Sequence, residues 1–551
     1  MKKGGSKRAH RRQKRLGQYY TPDWAVDYII EHTLGLTLAE HPDRLLGEFS
    51  LLDPACGNGA FLVGALGFLA QQAESLDKIR SRLLFRSIID SIHGIDVDPT
   101  ALQDCRQRLE ELSRTVLGID AEFSQKILLG NSLVQTDDAA QTIFGDRLND
   151  IHPVDWHRVY PWVMRDGGFD VIVGNPPFLS TKAMDPSLKD YIRQKFRTVH
   201  QQFDIIIPFI ELGLRLLRPG GRLGFIISNK VLAADYGINL RKTLVTSYVI
   251  ERMVDISHLN IFEDAATYPH IIIIRRPIHP GETRSNKIRI IPPPHQPKDL
   301  TNESAITTLL PQQYYASLPN TILAPTLTEK KFAILRKMFR NTTPLGKACK
   351  IRCGIAKTGF TKHLLTQENY EQLSMAKKRN ALPFLNAGDV RRYHIRSKKY
   401  LSAKTALVSD DQWKDFQEPK IVIAGMAKFL RAAYDTTGHA LGRVYYITQN
   451  HAPYHPLYLL AVLNSQLINA YFTLLFVATH LRSNYIRYNA TYLEQIPLAQ
   501  PTQQQEDALV DLAQYVLMHP SYLKRGLDEE INQVVSVIYG LSPEEVNHFL
   551  A

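Results

Sequence analysis

Phe169-Asp170-Val171-Ile172-Val173-Gly174-Asn175-Pro176-Pro177-Phe178 joins an apolar, strand-like run to a glycine, a side-chain amide, two prolines and an aromatic ring. Successive prolines donate no backbone hydrogen bonds and restrict the chain. Carbonyl groups are therefore left pointing outward at the carboxyl end of a strand, where open α/β sheets bind ligands. The arrangement suits a planar group carrying an NH2, with two oxygens accepting its hydrogens and Phe178 stacking on its face. N-P-P alone also fits a strand running into a Pro-rich turn. The remainder of the chain has to supply a reaction partner.

Outward from this point, residues 16–285 alternate strand-like runs with longer helical patterns, the signature of a parallel α/β sheet. Strands are expected at Phe49–Leu52, Ser91–Ile95, Ile127–Leu129, Asp170–Val173, Arg222–Ser228, Val249–Asp255 and His270–Arg275. Arg218-Pro219-Gly220-Gly221 is expected to turn a helix into the fifth of these. Residues 286–325, with Pro292-Pro293-Pro294 and a short strand around Lys287–Ile291, read as a linker or extension. Residues 326–551 lack the strand–helix rhythm. They mix short strands (Lys420–Ala424, Arg443–Thr448) with helices (Leu457–Asn469, Gln503–Met518, Glu529–Tyr539), a second domain of α+β type.

At 551 residues the chain exceeds one ordinary domain. Its net charge of +12 is concentrated at the start: Lys2, Lys3, Lys7, Arg8, Arg11, Arg12, Lys14 and Arg15 face no acid within residues 1–15. A disordered basic tail is expected there, either holding phosphates without reading sequence or simply solubilising the chain. No apolar core of a secretory signal follows it. Four scattered cysteines fit a reducing cytoplasm. Leu457–Thr479 carries no charge and is long enough to cross a bilayer. Asn464, Ser465, Gln466 and Asn469 interrupt it, which favours a buried helix pair and no membrane partner.

Three further motifs end strands. Leu51-Leu52-Asp53-Pro54-Ala55-Cys56-Gly57-Asn58-Gly59-Ala60-Phe61-Leu62 is a strand, a glycine-containing turn and a helix. Asp53 would repel a pyrophosphate, so the turn suits a cationic or amino-bearing ligand. Gly94-Ile95-Asp96-Val97-Asp98-Pro99 ends the next strand with an acid suited to ribose hydroxyls. Leu128-Leu129-Gly130-Asn131-Ser132-Leu133 ends a third with an amide suited to an adenine edge. Acids and amides at such places also cap helices. Three in order, followed by N-P-P-F, form a pattern.

With these motifs the chain resembles the gamma-class, S-adenosyl-L-methionine-dependent N6-adenine DNA methyltransferases of restriction-modification systems. Gly17-Gln18-Tyr19-Tyr20-Thr21-Pro22 and Ala265-Ala266-Thr267-Tyr268-Pro269 extend the match. The resemblance implies a Rossmann-like class I methyltransferase domain followed by a target recognition domain. Tyr20, Thr21 and Pro22 would approach the methionine part of the cofactor, and Asp53, Ala55, Gly57 and Gly59 would line its amino-acid end. Asp96 would bind the ribose with Val97 beside it. Asn131, with Ser132 and Leu133, would meet the cofactor adenine, where the family more often has Asp. Asn175, Pro176, Pro177 and Phe178 would form the catalytic turn. Phe262 would cover the second face of the flipped base, with Tyr268 as a competing candidate.

In the second half, Gly354–Gly359, Pro383–Tyr393, Leu460–Ser465 and Leu493–Pro497 resemble recognition domains of type I and type IIG modification proteins. There Arg391, Arg392, Arg396, Lys398 and Lys399 would face double-stranded DNA; the alternative is a solvated basic face. Asp411 with Glu418-Pro419-Lys420 has the outline of a metal-nuclease cluster, but its spacing is short. A separately encoded restriction endonuclease or specificity subunit is the expected partner, and no metal site is expected. The rival readings are an RNA adenine or protein glutamine methyltransferase, and a non-catalytic DNA specificity module.

Overall fold

The computed structural model describes residues 21–42, 44, 49–74, 78–259, 268–356, 359–448, 454–476, 480–481, 485–519 and 526–551. The expected basic tail, Tyr20 and Phe262 lie outside these residues. The chain divides into two compact units, Met1–Thr326 and Leu327–Ala551.

The first unit is built on nine strands: β1 (Leu51–Asp53), β2 (Ile92–Asp96), β3 (Ile127–Leu129), β4 (Phe169–Gly174), β5 (Leu217–Ser228), β6 (Val249–Asp255), β7 (Pro269–Arg275), β8 (Lys287–Ile291) and β9 (Thr308–Pro311). They run in the order β3-β2-β1-β4-β5-β7-β6-β8-β9. β7 is antiparallel to both β5 and β6, while β3, β2, β1, β4 and β5 are parallel. The chain therefore builds outward from β1 in one direction, then restarts at β4 in the other. That reversal leaves a crevice above the carboxyl ends of β1 and β4, where doubly wound sheets bind ligands.

Both faces of the sheet are covered, which is why the strands read as continuous apolar runs rather than alternating ones. On one face, α1 (Asp23–Ile30) crosses β5 at Gly224, where an added Cβ would lie 2.7 Å from Ile29. α2 (Ala60–Glu74) meets α1 at Gly64, where a Cβ would lie 2.5 Å from Val26. α3 (Pro99–Leu112) adds Leu102, Cys105 and Leu109 to the same core. On the other face, α4 (Ile206–Leu216) sets Gly213 against Leu223. The neighbours Leu223 and Gly224 thus face opposite layers, as strand geometry requires. The Arg218–Gly221 stretch, expected as a turn, is instead the irregular start of β5, with a register shift against β4 between Phe169 and Val171.

Residues 286–325 do not form a free linker. β8 pairs in parallel with β6, and β9 returns antiparallel to β8. Gln312 is wholly buried: its Oε1 accepts from the Ile250 N–H at 2.9 Å, and its Nε2 donates to the Tyr248 carbonyl at 2.7 Å. This satisfies buried backbone groups beside β6 that no strand reaches.

The second unit holds an antiparallel sheet of Ile351–Cys353, Val444–Thr448, Lys420–Ala424 and Ala432–Asp435. Its second four-stranded sheet comprises Leu364–Thr366, Lys399–Leu401, Leu382–Leu385 and Ala440–Leu441. Smaller sheets and a set of helices complete it. The helix expected over Leu457–Asn469 is broken at Ser465 into Pro456–Asn464 and Gln466–Phe476, bent by 58°. No single helix among the described residues is long and apolar enough to cross a membrane. The polar residues at the break have work of their own. Asn464 Oδ1 accepts from the Ala432 N–H, and Asn469 Oδ1 from the Leu430 N–H, each at 3.0 Å.

Lys420 opens a central strand with its ammonium buried 2.6 Å from Asp435 Oδ2, and it also donates to the Phe416 carbonyl at 2.6 Å. Asp435 Oδ1 in turn lies 2.8 Å from His439 Nδ1. Lys420 is thereby committed to a structural pair rather than to a nuclease cluster. Asp435→Ala is expected to leave a buried ammonium unpaired and to cost about 3–5 kcal/mol. Denaturant unfolding of the variant measures it; an unchanged midpoint would show the pair to be dispensable.

Candidate active site

Four polar positions follow or end β1 to β4 at one edge of the sheet: Asp53, Asp96, Asn131 and Asn175. Parallel pairing puts all four carboxyl ends on the same side. Asp53 is buried beside β4, and a Cβ on Gly174 would lie 2.9 Å from its Oδ1. Only glycine allows this approach. Asp53 also accepts from the Ala55 N–H at 3.0 Å. Burial, with a smaller contribution from Asp96, pushes its carboxyl up to about 8.

Asp96 accepts from the Gly57 N–H at 2.8 Å and from the Asp98 N–H at 2.9 Å. Burial outweighs these bonds and raises its carboxyl too. Two acids thus sit together in a desolvated turn, a combination that favours a cationic or hydroxyl-rich ligand. The turn is held from both sides. The Cys56 N–H donates to the Ile95 carbonyl at 3.0 Å, and Ser132 Oγ donates to the Pro54 carbonyl at 2.6 Å. Gly57, at φ +51°, has nothing within 4 Å of where a Cβ would stand. Gly59, at φ +81°, lies where a Cβ would be 2.4 Å from Cys105 Sγ, so its glycine serves packing against α3. Val97 is 53% exposed directly after buried Asp96, an apolar side chain facing outward beside the acids.

Asn131 is half-buried, and its Oδ1 accepts from the Leu133 N–H at 3.2 Å. Its carboxamide thus shapes the loop in which Leu133 is buried. In the N-P-P-F turn, Asn175 Nδ2 donates to Thr21 Oγ1 at 3.2 Å. Asn175 Oδ1 is buried and has no hydrogen-bond partner among the described residues. Buried amide oxygens are nearly always paired, so this atom is an acceptor in search of a donor. Pro176 is buried, while Pro177 and Phe178 are half-buried, with Phe178 packed against the core that α1 and α2 share. Thr21 is buried immediately before Pro22, whose carbonyl accepts from the Ala25 N–H at the start of α1. The fold therefore brings Thr21, Asp53, Gly174 and Asn175 together from three distant parts of the chain.

Two features lay beyond the sequence reading. The exit from the turn is held by Asp204: the Ile205 N–H donates to the Leu179 carbonyl at 2.9 Å, and Ser180 bridges to Asp204. Asn229 follows β5 as Asn175 follows β4. It is 3% exposed, its N–H donates to the Tyr268 carbonyl at 2.9 Å, and its Oδ1 has no partner among the described residues. The signal was present in Ile226-Ile227-Ser228-Asn229, an apolar strand ending in an amide.

In the second unit, Arg391 lies on a hairpin of Val390–Arg391 and His394–Ile395 and is exposed, as are Arg396, Lys398 and Lys399. Arg392 departs from this set. Its Nη1 donates to Asp528 Oδ2 at 3.0 Å and its guanidinium stands over the Tyr393 ring, so its charge is neutralised within the unit.

Comparison with known proteins supplies the wider context. Residues 90–262 match the family described as Eco57I restriction-modification methylase, and residues 382–498 the TaqI-like C-terminal specificity domain. The type II methyltransferase M.BstVI of Geobacillus stearothermophilus is 24% identical, over 96% of this chain and 97% of its own length. M.PaeR7I of Pseudomonas aeruginosa is also 24% identical, over 96% of this chain and 92% of its own. The type II restriction enzyme and methyltransferase RM.Eco57I of Escherichia coli is 26% identical over 47% of this chain, which spans only 28% of that protein. Among solved structures, the type IIL restriction-modification enzyme MmeI in complex with DNA superposes with a TM-score of 0.59 at 14% identity, covering 96% of this chain and 75% of that one. The type ISP enzyme LlaGI gives 0.58 at 13% identity, covering 91% and 47%. Residues 90–262 are therefore similar to an Eco57I-type methylase domain and residues 382–498 to a TaqI-like specificity domain, and over nearly its full length the chain is similar to type II methyltransferases.

Proposed function

We propose that the protein methylates the N6 amino group of adenine at a specific site in double-stranded DNA, as the modification arm of a restriction-modification system. The observation that carries this reading is Asn175 Oδ1 at the end of β4, buried and without a hydrogen-bond partner among the described residues, with the next residue's carbonyl, that of Pro176, as the second acceptor it would act with. An exocyclic amine has two N–H donors, and this turn offers two acceptors. Hydrogen bonds to both would draw the nitrogen towards a pyramidal geometry and make available a lone pair otherwise delocalised into the ring. Thr21 Oγ1 accepts from Asn175 Nδ2 and so braces the amide from its other end. Phe178 offers a ring face to the base. No base stronger than these neutral oxygens is required.

The residues of the crevice also fit the cofactor, which when bound supplies a methyl group on a sulfonium. Asp53 would meet its amino-acid end and Asp96 its ribose, and exposed Val97 and the Asn131–Leu133 loop would line its adenine. The turn's task is to hold the amine in line with that methyl, since orientation is the main source of acceleration for such a transfer. Because the amine must reach a pocket above the sheet, the target base has to leave the helical stack. In the specificity domain, Arg391, Arg396, Lys398 and Lys399 would contact the duplex, and Arg392 would brace the hairpin from inside. In this reading a separately encoded endonuclease would cut unmodified sites.

Incubation with labelled S-adenosyl-L-methionine and duplex DNA, followed by mapping of the product, tests the reaction. N6-methyladenine at one sequence is expected; label on cytosine, RNA or protein instead would overturn it. Asn175→Ala is expected to lower transfer by about 10²-fold or more, the scale for losing one positioned hydrogen-bonding group at a reacting centre. Cofactor affinity should stay within a fewfold by calorimetry.

Asp53 gives a pH signature. Free of a cation its carboxyl lies near 8 and is protonated at pH 7; an ammonium group brought beside it would lower that value and expel the proton. Cofactor binding should therefore release a proton at pH 7 and, below pH 8, tighten by up to about tenfold for each unit that the pH rises, levelling off above it. Calorimetry in buffers of different ionisation enthalpy reads both, and Asp53→Asn should flatten the dependence. Proton uptake would contradict the assignment.

A further inference from the structure

Between Glu418 and Glu494 the sequence contains a single acid, Asp435. The fold buries that one against Lys420 and His439. No carboxylate from this long stretch of the specificity domain reaches solvent. Within it, Met426–Ala427, Tyr485–Arg487 and His480–Leu481 form a small antiparallel sheet, with Met426 opposite Arg487 and Ala427 opposite Ile486. Strand alternation sorts its side chains: Ala427 and Ile486 are buried, whereas Met426, Lys428, Tyr485 and Arg487 are exposed. Lys428 Nζ lies 5.9 Å from the centre of the Tyr485 ring. Phe429 is 58% exposed, and Met426 and Tyr485 each 40%.

Large apolar side chains gathered on an exposed face mark an interaction surface. Here the cations Lys428 and Arg487 are interleaved with them, and these strands carry no acid of their own. The backbone beneath is fixed. Leu430 and Ala432 are held by Asn469 and Asn464, and the Tyr488 N–H donates to the Gly425 carbonyl at 3.1 Å. The Ala432 carbonyl also accepts from the Tyr393 N–H at 2.8 Å, which joins this face to the hairpin carrying Arg391. Side chains that read a partner need such support.

We infer that this face, through Arg487 and Met426, together with Phe429 in the bend that follows the strand, reads base identity in the target duplex, while Lys428 meets a phosphate. The inference rests on the DNA substrate proposed above. Charge complementarity selects the partner: a polyanion suits strands and a bend whose charged side chains are Lys428 and Arg487, whereas the cores of protein–protein contacts are depleted of lysine. Shape agrees, since a β-ribbon fits the major groove. Arginine there pairs with the guanine edge, and apolar side chains meet the thymine methyl.

Full-length protein and the variants Arg487→Ala, Phe429→Ala and Lys428→Ala are to be compared in two assays on a randomised duplex library. One selects bound sequences without cofactor; the other maps methylated sites. Arg487→Ala should lose discrimination at one base pair by about fivefold or more, with Phe429→Ala relaxing a neighbouring position. Lys428→Ala should weaken all sequences alike and lower the salt-dependence slope by about one. Relaxed preference in the binding assay supports the face even if the wild type transfers no methyl group to DNA, a result that would sink only the reaction. Unaltered sequence preference in both Arg487→Ala and Phe429→Ala, with melting temperature unchanged, overturns the inference. So does a change in solution mass by light scattering with DNA preference intact, which would assign the face to a second copy of the chain.

Discussion

The contact between the Asp53 carboxyl and the bare Cα of Gly174 ties the two halves of the candidate site together. It exists because the sheet reverses its direction of growth between β1 and β4. One half of the site is a glycine turn after β1 suited to a cationic ligand. The other is the amide-and-proline turn after β4 suited to a planar amine. A side chain at 174 would place its Cβ 2.9 Å from Asp53 Oδ1, so either the carboxyl or the strand would have to shift. Thr21 reinforces the junction from a third direction, since its hydroxyl orients the same amide that Gly174 precedes.

Charge is arranged in opposite ways at the two ends of the proposed reaction. In the methylase domain two carboxyls, Asp53 and Asp96, are concentrated and desolvated, so that both titrate above their ordinary values. In the specificity domain the one acid between Glu418 and Glu494 is withdrawn from the surface. A small sulfonium-bearing ligand and a polyanionic duplex call for these opposite environments. The chain's modest overall excess of positive charge conceals the division.

The strand–helix alternation of residues 16–285 made the sheet legible, because parallel strands covered on both faces appear as continuous apolar runs. The ends of β1, β2, β3 and β4 were legible for a related reason: function sits where such runs stop, and Asp53, Asp96, Asn131 and Asn175 stand there. Within the proline-rich texture of 286–325 the strand at Lys287–Ile291 was legible, but β9 was not, because it is a short edge element and the neighbouring Gln312 makes a long-range contact without local signature. Arg392 looked like its exposed neighbours in sequence. Only the fold places Asp528 beside it. Asn229 escaped notice because a lone amide after a strand carries little information until a neighbouring strand supplies a second.

Asn464 and Asn469 show how a local oddity can be the trace of a distant requirement. In an uncharged stretch long enough to span a bilayer, two amides look like defects in an otherwise apolar pair of helices. In the fold they hold the N–H groups of Leu430 and Ala432. An unpaired buried N–H costs roughly 1–3 kcal/mol, so apolar replacements would free this strand-to-loop junction to move. The junction carries Phe429 and Arg431 on one side and, through the Ala432 carbonyl, the hairpin of Arg391 on the other. Polar residues inside the most apolar helices of the domain are thus what hold this junction in place. Rigidity matters there because a side chain that wanders by an ångström can hold a phosphate but cannot tell one base from another.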